Sequence, residues 1–420
     1  MHSYPHFSRL TVDDWRQFGL VDLDLSGDVT ILTGVNGSGK TTLLRLLAYF
    51  TGEAIPFLAT PQKMNETGGF EWVSGLSRKF FQDLFNMKRS PPTQRQFGEL
   101  RLSNGTVCTL SVPIRSSVAA VNVIVGNSEH LPGFFIPSHR PVYYYEQLKN
   151  LDISKKTRIA AYQEYIASMR TQSQAGQRTN NISSKIKNAI LNWGYVGYGS
   201  KVAPEDPELV ENFEGFQNVL RKILPKELRF SRYEIRSGSE IVFVCEDNEF
   251  LFETASGGIT SLIHLAWLIF TFSASQPCVI LIDEIENHLH PSLQRIVLPN
   301  LAAAFPNVRF IVTTHSPLVV NSVRGATVYA LQHAPDNKIV QHRLDFASDA
   351  NTAAEILDQV LGVPVTMPVW AEHEYERIVD RYVQLSPDEI NLGEFRAELV
   401  DSGLRGFVLQ GVDRVLASKQ

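Results

Sequence analysis

The spacing of apolar and polar residues changes several times along the chain. Leu10-Thr11-Val12 and Val21-Asp22-Leu23-Asp24-Leu25 alternate, which predicts strands buried on one face. Val29-Thr30-Ile31-Leu32 is nearly unbroken apolar and predicts a strand buried on both faces. From 41 to 50 the period lengthens to that of a helix, with Leu43, Leu44, Leu46 and Leu47 on one side. Residues 51–95 are irregular, with one amphipathic stretch near 78–87. Alternation returns over 97–125, including a strand candidate at 121–125. The segment 140–232 differs. Helices are expected at 162–169 and 213–224, and the Gln-, Ser-, Thr- and Asn-rich stretch 168–184 predicts an exposed loop. Strands return at 234–244, and 250–330 alternates apolar strands with helices. Beyond residue 350 the pattern is helical, with capping boxes at Thr352-Ala-Ala-Glu355 and Ser386-Pro387-Asp388-Glu389.

Composition adds exclusions. A chain of 420 residues suggests two to three domains at about 150 residues each. With 44% hydrophobic and 20% charged residues it is neither disordered nor fibrous. A net charge of −5 rules out a uniformly basic nucleic-acid coat. Cys108, Cys245 and Cys278 form no CxxC pair, so neither a disulfide framework nor a cysteine zinc site is expected, and a cytoplasmic setting follows. The apolar run 262–272, interrupted by His264, is too short to cross a bilayer, so no membrane partner is expected. The N-terminal stretch has no secretory pattern.

Four segments carry chemistry. Gly34-Val35-Asn36-Gly37-Ser38-Gly39-Lys40-Thr41 fits G-x-x-x-x-G-K-[ST] between a predicted strand and a predicted helix. Glycines let backbone amides wrap a phosphate, and the helix N-terminus adds positive potential. Lys40 is expected on the β- and γ-phosphates of ATP, Thr41 on Mg²⁺ and Thr42 near the α-phosphate. Val279-Ile-Leu-Ile-Asp283-Glu284 is a buried strand ending in two acids. Asp283 is expected to hold Mg²⁺ and Glu284 to act as general base on the attacking water. Phe310-Ile-Val-Thr-Thr-His315-Ser316 is another apolar strand, ending in a polar triplet, and its His315 can contact the γ-phosphate. Ser256, Gly257 and Gly258 open an apolar helix and make a second anion site there.

In this order the pieces resemble the ABC-type ATPase superfamily. The string Asp283-Glu284-Ile285-Glu286-Asn287-His288-Leu289-His290-Pro291, the later Thr314-His315-Ser316-Pro317 and the turn Phe135-Ile-Pro-Ser-His139-Arg140-Pro141 narrow the match. They are similar to cytosolic AAA-family ATPases grouped with SMC-like proteins and overcoming-lysogenisation-defect nucleases. Stand-alone members of that group occur in antiphage systems such as PARIS and Septu.

The resemblance implies an α/β ABC-type P-loop domain with an inserted, largely helical module and a helical C-terminal tail. Its halves would be 1–137 and 233–345, the module 138–232 and the tail 346–420. It further implies ATP sandwiched between the protomers of a homo-oligomer, Ser256 of one touching the γ-phosphate held by the other. A separate effector protein such as a nuclease would be the partner.

The sequence departs from transporter relatives in reading Ala255-Ser-Gly-Gly-Ile259 at the signature. Ile285 stands where many relatives have proline. Gln147, His139 and Arg140 are the candidates for the Q-loop residue.

Other features have plainer readings. His288-x-His290 lies inside the acid segment, so metal ligation is disfavoured. Asp22-x-Asp24 lies in a strand with no third carboxylate. Arg221, Lys222, Lys226, Arg229, Arg232 and Arg236 form a basic cluster diluted by Glu227 and Glu234. Packing explains Tyr143-Tyr144-Tyr145 better than base stacking does, and the acidic 371–377 stretch reads as a wet surface. Three functions stay open: a defence ATPase controlling an effector, an SMC- or repair-like ATPase acting on DNA, and a slow ATP-binding scaffold.

Overall fold

The computed structural model describes residues 4–63, 70–75, 93–116, 118–141, 143–148, 152–175, 182–273, 276–344, 369–386 and 390–417. They fall into two compact units, 1–356 and 357–420.

A six-stranded sheet organises the larger unit. Its order is Gly133–Ile136, Cys278–Ile282, Val308–Thr314, Val29–Gly34, Thr327–His333 and Ile339–Leu344. The first five strands are parallel, and the last runs antiparallel to its neighbour. Every residue of Val29–Gly34 and Cys278–Ile282 is buried, which explains their apolar runs: a sheet covered on both faces has no polar side. Parallel direction also delivers the C-terminal ends of Val29–Gly34, Cys278–Ile282 and Val308–Thr314 to one edge, where such sheets bind ligands.

An antiparallel sheet runs Ile124–Gly126, Val107–Pro113, Gln94–Leu102, Phe7–Val12 and Val21–Asp24. One core joins both sheets. Leu10, Leu23 and Leu100 pack with Leu43, Leu44 and Leu47 of the helix Lys40–Ala48, and with Leu281 and Ile311 of the parallel sheet. The alternation at 10–12 and 21–25 therefore reports one face on this core and one on solvent.

Helices Arg158–Ala175, Ile182–Gly197 and Pro207–Ile223 pack with one another and around Gly257–Phe272. That last helix is buried continuously from Thr260 to Thr271. Trp267 stacks on Trp193 at 5.2 Å and meets Phe216 edge-on at 5.1 Å. Lys187 is fully buried and ion-paired to Glu240 and Glu253, the latter three residues ahead of Ser256. Phe230–Arg236, Glu240–Cys245 and Glu249–Leu251 form a small antiparallel sheet leading into that segment.

In the smaller unit, helices Val369–Gln384, Leu392–Asp401 and Val408–Ala417 enclose Tyr375, Ile378, Val379, Phe395, Leu399 and Val415. This agrees with the helical tail. Among the described residues no helix is long and apolar enough to cross a membrane.

The loop expected at 168–184 is a correction. Arg158–Ala175 continues helical through 175, and a second helix begins at Ile182. Ala161, Tyr165 and Ser168 are buried, so packing of the first turns carries the helix on through polar residues. The helix expected at 213–224 starts earlier, at Pro207. Asp206 accepts from the amides of Glu208 and Leu209, and proline occupies the first helical position. The candidate at 121–125 is two short pieces, Ala120–Val121 and Ile124–Gly126. The stretch 78–87, the box at Thr352–Glu355 and most of the one after Ser386 lie outside the described residues.

Candidate nucleotide-binding site

The phosphate loop begins where Val29–Gly34 ends. Gly34 has φ +142°, and a Cβ there would lie 2.4 Å from the Leu331 carbonyl oxygen of the neighbouring strand. Gly39, at φ +91°, caps the helix Lys40–Ala48, and a Cβ there would meet the Phe18 ring at 2.4 Å. Both positions require glycine. Gly37 differs: nothing lies within 4 Å of its Cβ position, so it forms the open lip of the loop. Asn36 is also exposed and Thr42 half-buried, while the buried Ser38 hydroxyl has no hydrogen-bond partner.

Lys40 is buried. Its Nζ donates to the carbonyls of Gly34 at 2.9 Å and Val35 at 3.0 Å. Burial lowers its pKa to about 8, against the opposing pull of Asp283, Glu284 and Glu286.

The second half of the site arrives from two adjacent strands. Thr41 Oγ1 lies 3.0 Å from each carboxylate oxygen of the buried Asp283. Thr313 Oγ1 donates to Asp283 Oδ1 at 2.6 Å and accepts from the Glu284 amide at 2.8 Å. Glu284 holds a left-handed backbone, φ +45°. The His315 amide donates to Glu286 Oε1 at 2.6 Å. The half-buried His315 ring is held below its ordinary pKa by burial first and then by Lys40, with Glu286 and Glu284 opposing.

Lys40, Thr41, Asp283, Glu284 and His315 therefore meet at one sheet edge. A hydroxyl and a carboxylate, both hard oxygen donors, suit Mg²⁺. The unpartnered Ser38 hydroxyl, and a lysine bonded to carbonyls of its own loop, suit an incoming phosphate. Ser256, Gly257 and Gly258 are not brought to this edge by any hydrogen bond to residues 34–42. Ser256 is exposed at the N-cap of Gly257–Phe272, and its hydroxyl makes no capping bond.

Thr313 and Glu286 were given no role from the sequence, and Arg140 only that of a candidate Q-loop residue. Thr313 links the two acids, Glu286 fixes the His315 backbone, and Arg140 reaches the acid segment from the turn after Gly133–Ile136. Polar Thr313 at the end of an apolar strand was the available signal. Gln147 stands exposed, and His139 contacts the Ser138 hydroxyl.

The discounted features take structural roles. His290 accepts from the Ser292 amide at a helix start, and His288 is exposed. Among the described residues no group of three or more His, Cys, Asp or Glu is placed to hold a metal. Asp22 pairs with Arg9, and Asp24 accepts from Ser26. In the basic cluster, Arg229 pairs with Glu246 and Asp247, Arg232 with Glu234, and Arg236 with Glu234 and Glu249. Arg221 donates to the Ser231 carbonyl. Tyr143 is buried against Phe252 at 5.3 Å, and Tyr145 donates to Glu240.

The family described as "AAA ATPase domain" matches residues 142–320, and "AAA domain" matches 9–192. The Septu protein PtuA of Bacillus mycoides (strain KBAB4) is 26% identical over 190 residues, covering 43% of this chain and 26% of that protein. The chain is similar to AAA ATPase domains and to Septu protein PtuA.

Two further relatives of this chain are informative. Septu protein PtuA of Bacillus thuringiensis is 28% identical over 177 residues, 38% of this chain and 44% of that one. The "Retron Ec83 probable ATPase" of Escherichia coli is 46% identical over 55 residues, 13% of this chain and 10% of that one. The chain thus spans less than half the length of each of these relatives. Among solved structures, the SMC head domain from Thermotoga maritima is 14% identical with TM-score 0.40, covering 81% of this chain and 99% of that one.

Proposed function

We propose that this ATPase binds ATP with Mg²⁺ and hydrolyses it at a site shared between protomers, and that the cycle controls a separate effector protein, such as a nuclease, in antiphage defence. The observation that carries the reading is the meeting of Thr41 with both oxygens of Asp283, beside the buried Lys40.

In this reading Lys40 and the amides of 36–41 hold the β- and γ-phosphates. Thr41 and Asp283 hold Mg²⁺, which when bound neutralises phosphate charge and orients the γ-phosphoryl group. Glu284 orients the attacking water and takes its proton as the new P–O bond forms and ADP departs. His315, kept largely neutral by burial and Lys40, hydrogen-bonds the γ-phosphate and distinguishes ATP from ADP. Ser256, Gly257 and Gly258 of a second protomer close the site. The exposure of Ser256 and Gly257 and the uncapped Ser256 hydroxyl support that role.

The domain is divided as 1–137 and 233–345, with 138–232 inserted and 346–420 as the helical tail. The inserted helices contact Gly257–Phe272 directly, so a partner seated on them can reach the signature.

Hydrolysis rate and solution mass measured together, with and without double-stranded DNA, test the proposal. Turnover with an ATP-dependent rise in mass, unmoved by DNA, is expected. Turnover that DNA stimulates and salt abolishes replaces this reading with one acting on DNA. Absence of both hydrolysis and a mass change overturns it. Mixing Lys40→Ala with Ser256→Arg protomers tests sharing separately. One composite site then keeps both intact halves, so partial activity returns. No recovery at any ratio argues against a shared site.

A further inference from the structure

We infer that Arg140 and Thr313 are positioning residues that grip the Glu284 peptide from both sides and so aim its carboxylate at the reacting water. The inference rests on Glu284 being the general base.

Glu284 lies at φ +45°, a region that side-chain-bearing residues occupy only when their surroundings hold them there. Two side chains do so. The Thr313 hydroxyl accepts from the Glu284 amide at 2.8 Å and donates to Asp283 Oδ1 at 2.6 Å, tying the backbone of one acid to the carboxylate of the other. On the far side, Arg140 donates to the Glu284 carbonyl at 3.2 Å and to the Asn287 carbonyl at 2.7 Å. The turn 284–287 is closed by its own bond, Asn287 amide to Glu284 carbonyl at 2.9 Å. Asn287 returns the grip, its side-chain amide donating to the Ser138 carbonyl at 2.8 Å. The turns 138–140 and 284–287 are therefore clasped in both directions.

The nature of Arg140 supports a role beyond packing. It is 7% exposed, and among the described residues it forms no ion pair. Burial lowers its pKa to about 10, and only the field of Glu286, Asp283 and Glu284 opposes this. A cation is costly to bury, and this one gives two separate nitrogens to carbonyls at both ends of one turn. A rigid guanidinium fork can do that, whereas a lysine ammonium offers a single nitrogen. The Cα–Cβ direction of Glu284 follows from its backbone, so releasing either grip lets the carboxylate swing away. Neither bonds to the phosphate loop, and Arg140 does not bond to Asp283, so losing Arg140 should slow hydrolysis and spare nucleotide binding; Thr313 also bonds Asp283, so its effect on binding is read without Mg²⁺.

The test uses the full chain as Arg140→Gln, Arg140→Lys and Thr313→Val, alone and with Glu284→Gln. Equilibrium binding of a fluorescent ATP analogue, single-turnover hydrolysis and thermal unfolding are measured for each. Arg140→Gln should keep nucleotide affinity within roughly threefold, Thr313→Val should do so in Mg²⁺-free buffer, and both should slow hydrolysis about 10- to 100-fold, with Arg140→Lys recovering only part. In the Glu284→Gln background neither should slow hydrolysis further. Losses that multiply in that background, or affinity and rate falling together with thermal stability, overturn the inference. If Arg140→Gln does not fold, the near-isosteric Thr313→Val decides the matter alone. Glu284→Gln hydrolysing at the wild-type rate removes the general-base reading itself, an outcome distinct from multiplying losses, which remove only the positioning role.

Discussion

The hydroxyl of Thr41 lies 3.0 Å from both carboxylate oxygens of Asp283, across 242 residues of chain. In the proposed reading these two oxygen donors hold Mg²⁺. Asp283→Asn should therefore lose most of the benefit Mg²⁺ gives to ATP binding. Chelating Mg²⁺ is expected to weaken wild-type affinity by roughly 10- to 100-fold, the value of about one charge-assisted contact. The variant should barely respond. Equal sensitivity to chelator in both proteins would remove Asp283 from the cation site.

Lys40 should couple nucleotide binding to a proton. Burial lowers its pKa to about 8 from an ordinary 10.5. A triphosphate favours the ammonium, so binding near pH 8.5 should take up part of a proton, and affinity should fall as pH rises above about 8. The sign for folding is the opposite. The unfolded chain binds more protons between about 8 and 10.5, so this group makes the empty protein more stable as pH rises through that window. Calorimetric titration in two buffers of different ionisation enthalpy reads the uptake. Lys40→Arg, permanently charged, should show none of it.

Removing the base should separate binding from chemistry. Glu284→Gln is expected to retain ATP and slow phosphate release by about 10²- to 10⁴-fold, so that an ATP-bound assembly accumulates. Lys40→Ala should fail at the earlier step and bind no nucleotide at micromolar concentration. Phosphate release followed beside light scattering distinguishes the two. A Glu284→Gln protein that turns over normally refutes the assignment of Glu284.

The buried Lys187 anchors the segment leading to Ser256. Its side chain is 0% exposed, and those of Glu253 and Glu240 are 1% and 15% exposed. Lys187→Met leaves two acids without their cation and should destabilise the larger unit by ~3–5 kcal/mol. Adding Glu253→Gln and Glu240→Gln to Lys187→Met should restore much of that. Urea denaturation of the set measures it, and a loss below about 1 kcal/mol for the single variant counts against the triad.

The sequence makes the phosphate loop and strand-end acids visible because their chemistry is local. Gly34, Gly39, Lys40 and Thr41 lie within eight positions, and Asp283 with Glu284 ends an unbroken apolar run. The contacts that hold those acids were not visible. Thr313 and Arg140 meet Glu284 only because Val308–Thr314 and Gly133–Ile136 flank Cys278–Ile282, and strand order leaves no trace in residue spacing. Helix extents failed for a different reason. The polar run after Ser168 resembles a loop in isolation, but Tyr165 and Ala161 are already packed and the helix continues past them. Asp206-Pro207 was a readable start signal that the apolar period beginning at Phe213 obscured.

The strand Val29–Gly34 finds its neighbours in Val308–Thr314 and Thr327–His333, both made long after it. A ribosome moving at ~5–20 residues per second needs roughly 14 to 55 s to travel from residue 34 to residue 308. Through that interval the strand has two open edges, the condition in which chains pair wrongly or call on chaperones. Nucleotide competence therefore switches on late and all at once during synthesis. Truncation by a premature stop codon before residue 308 would yield no half-working ATP trap, only an exposed apolar strand suited to rapid proteolysis.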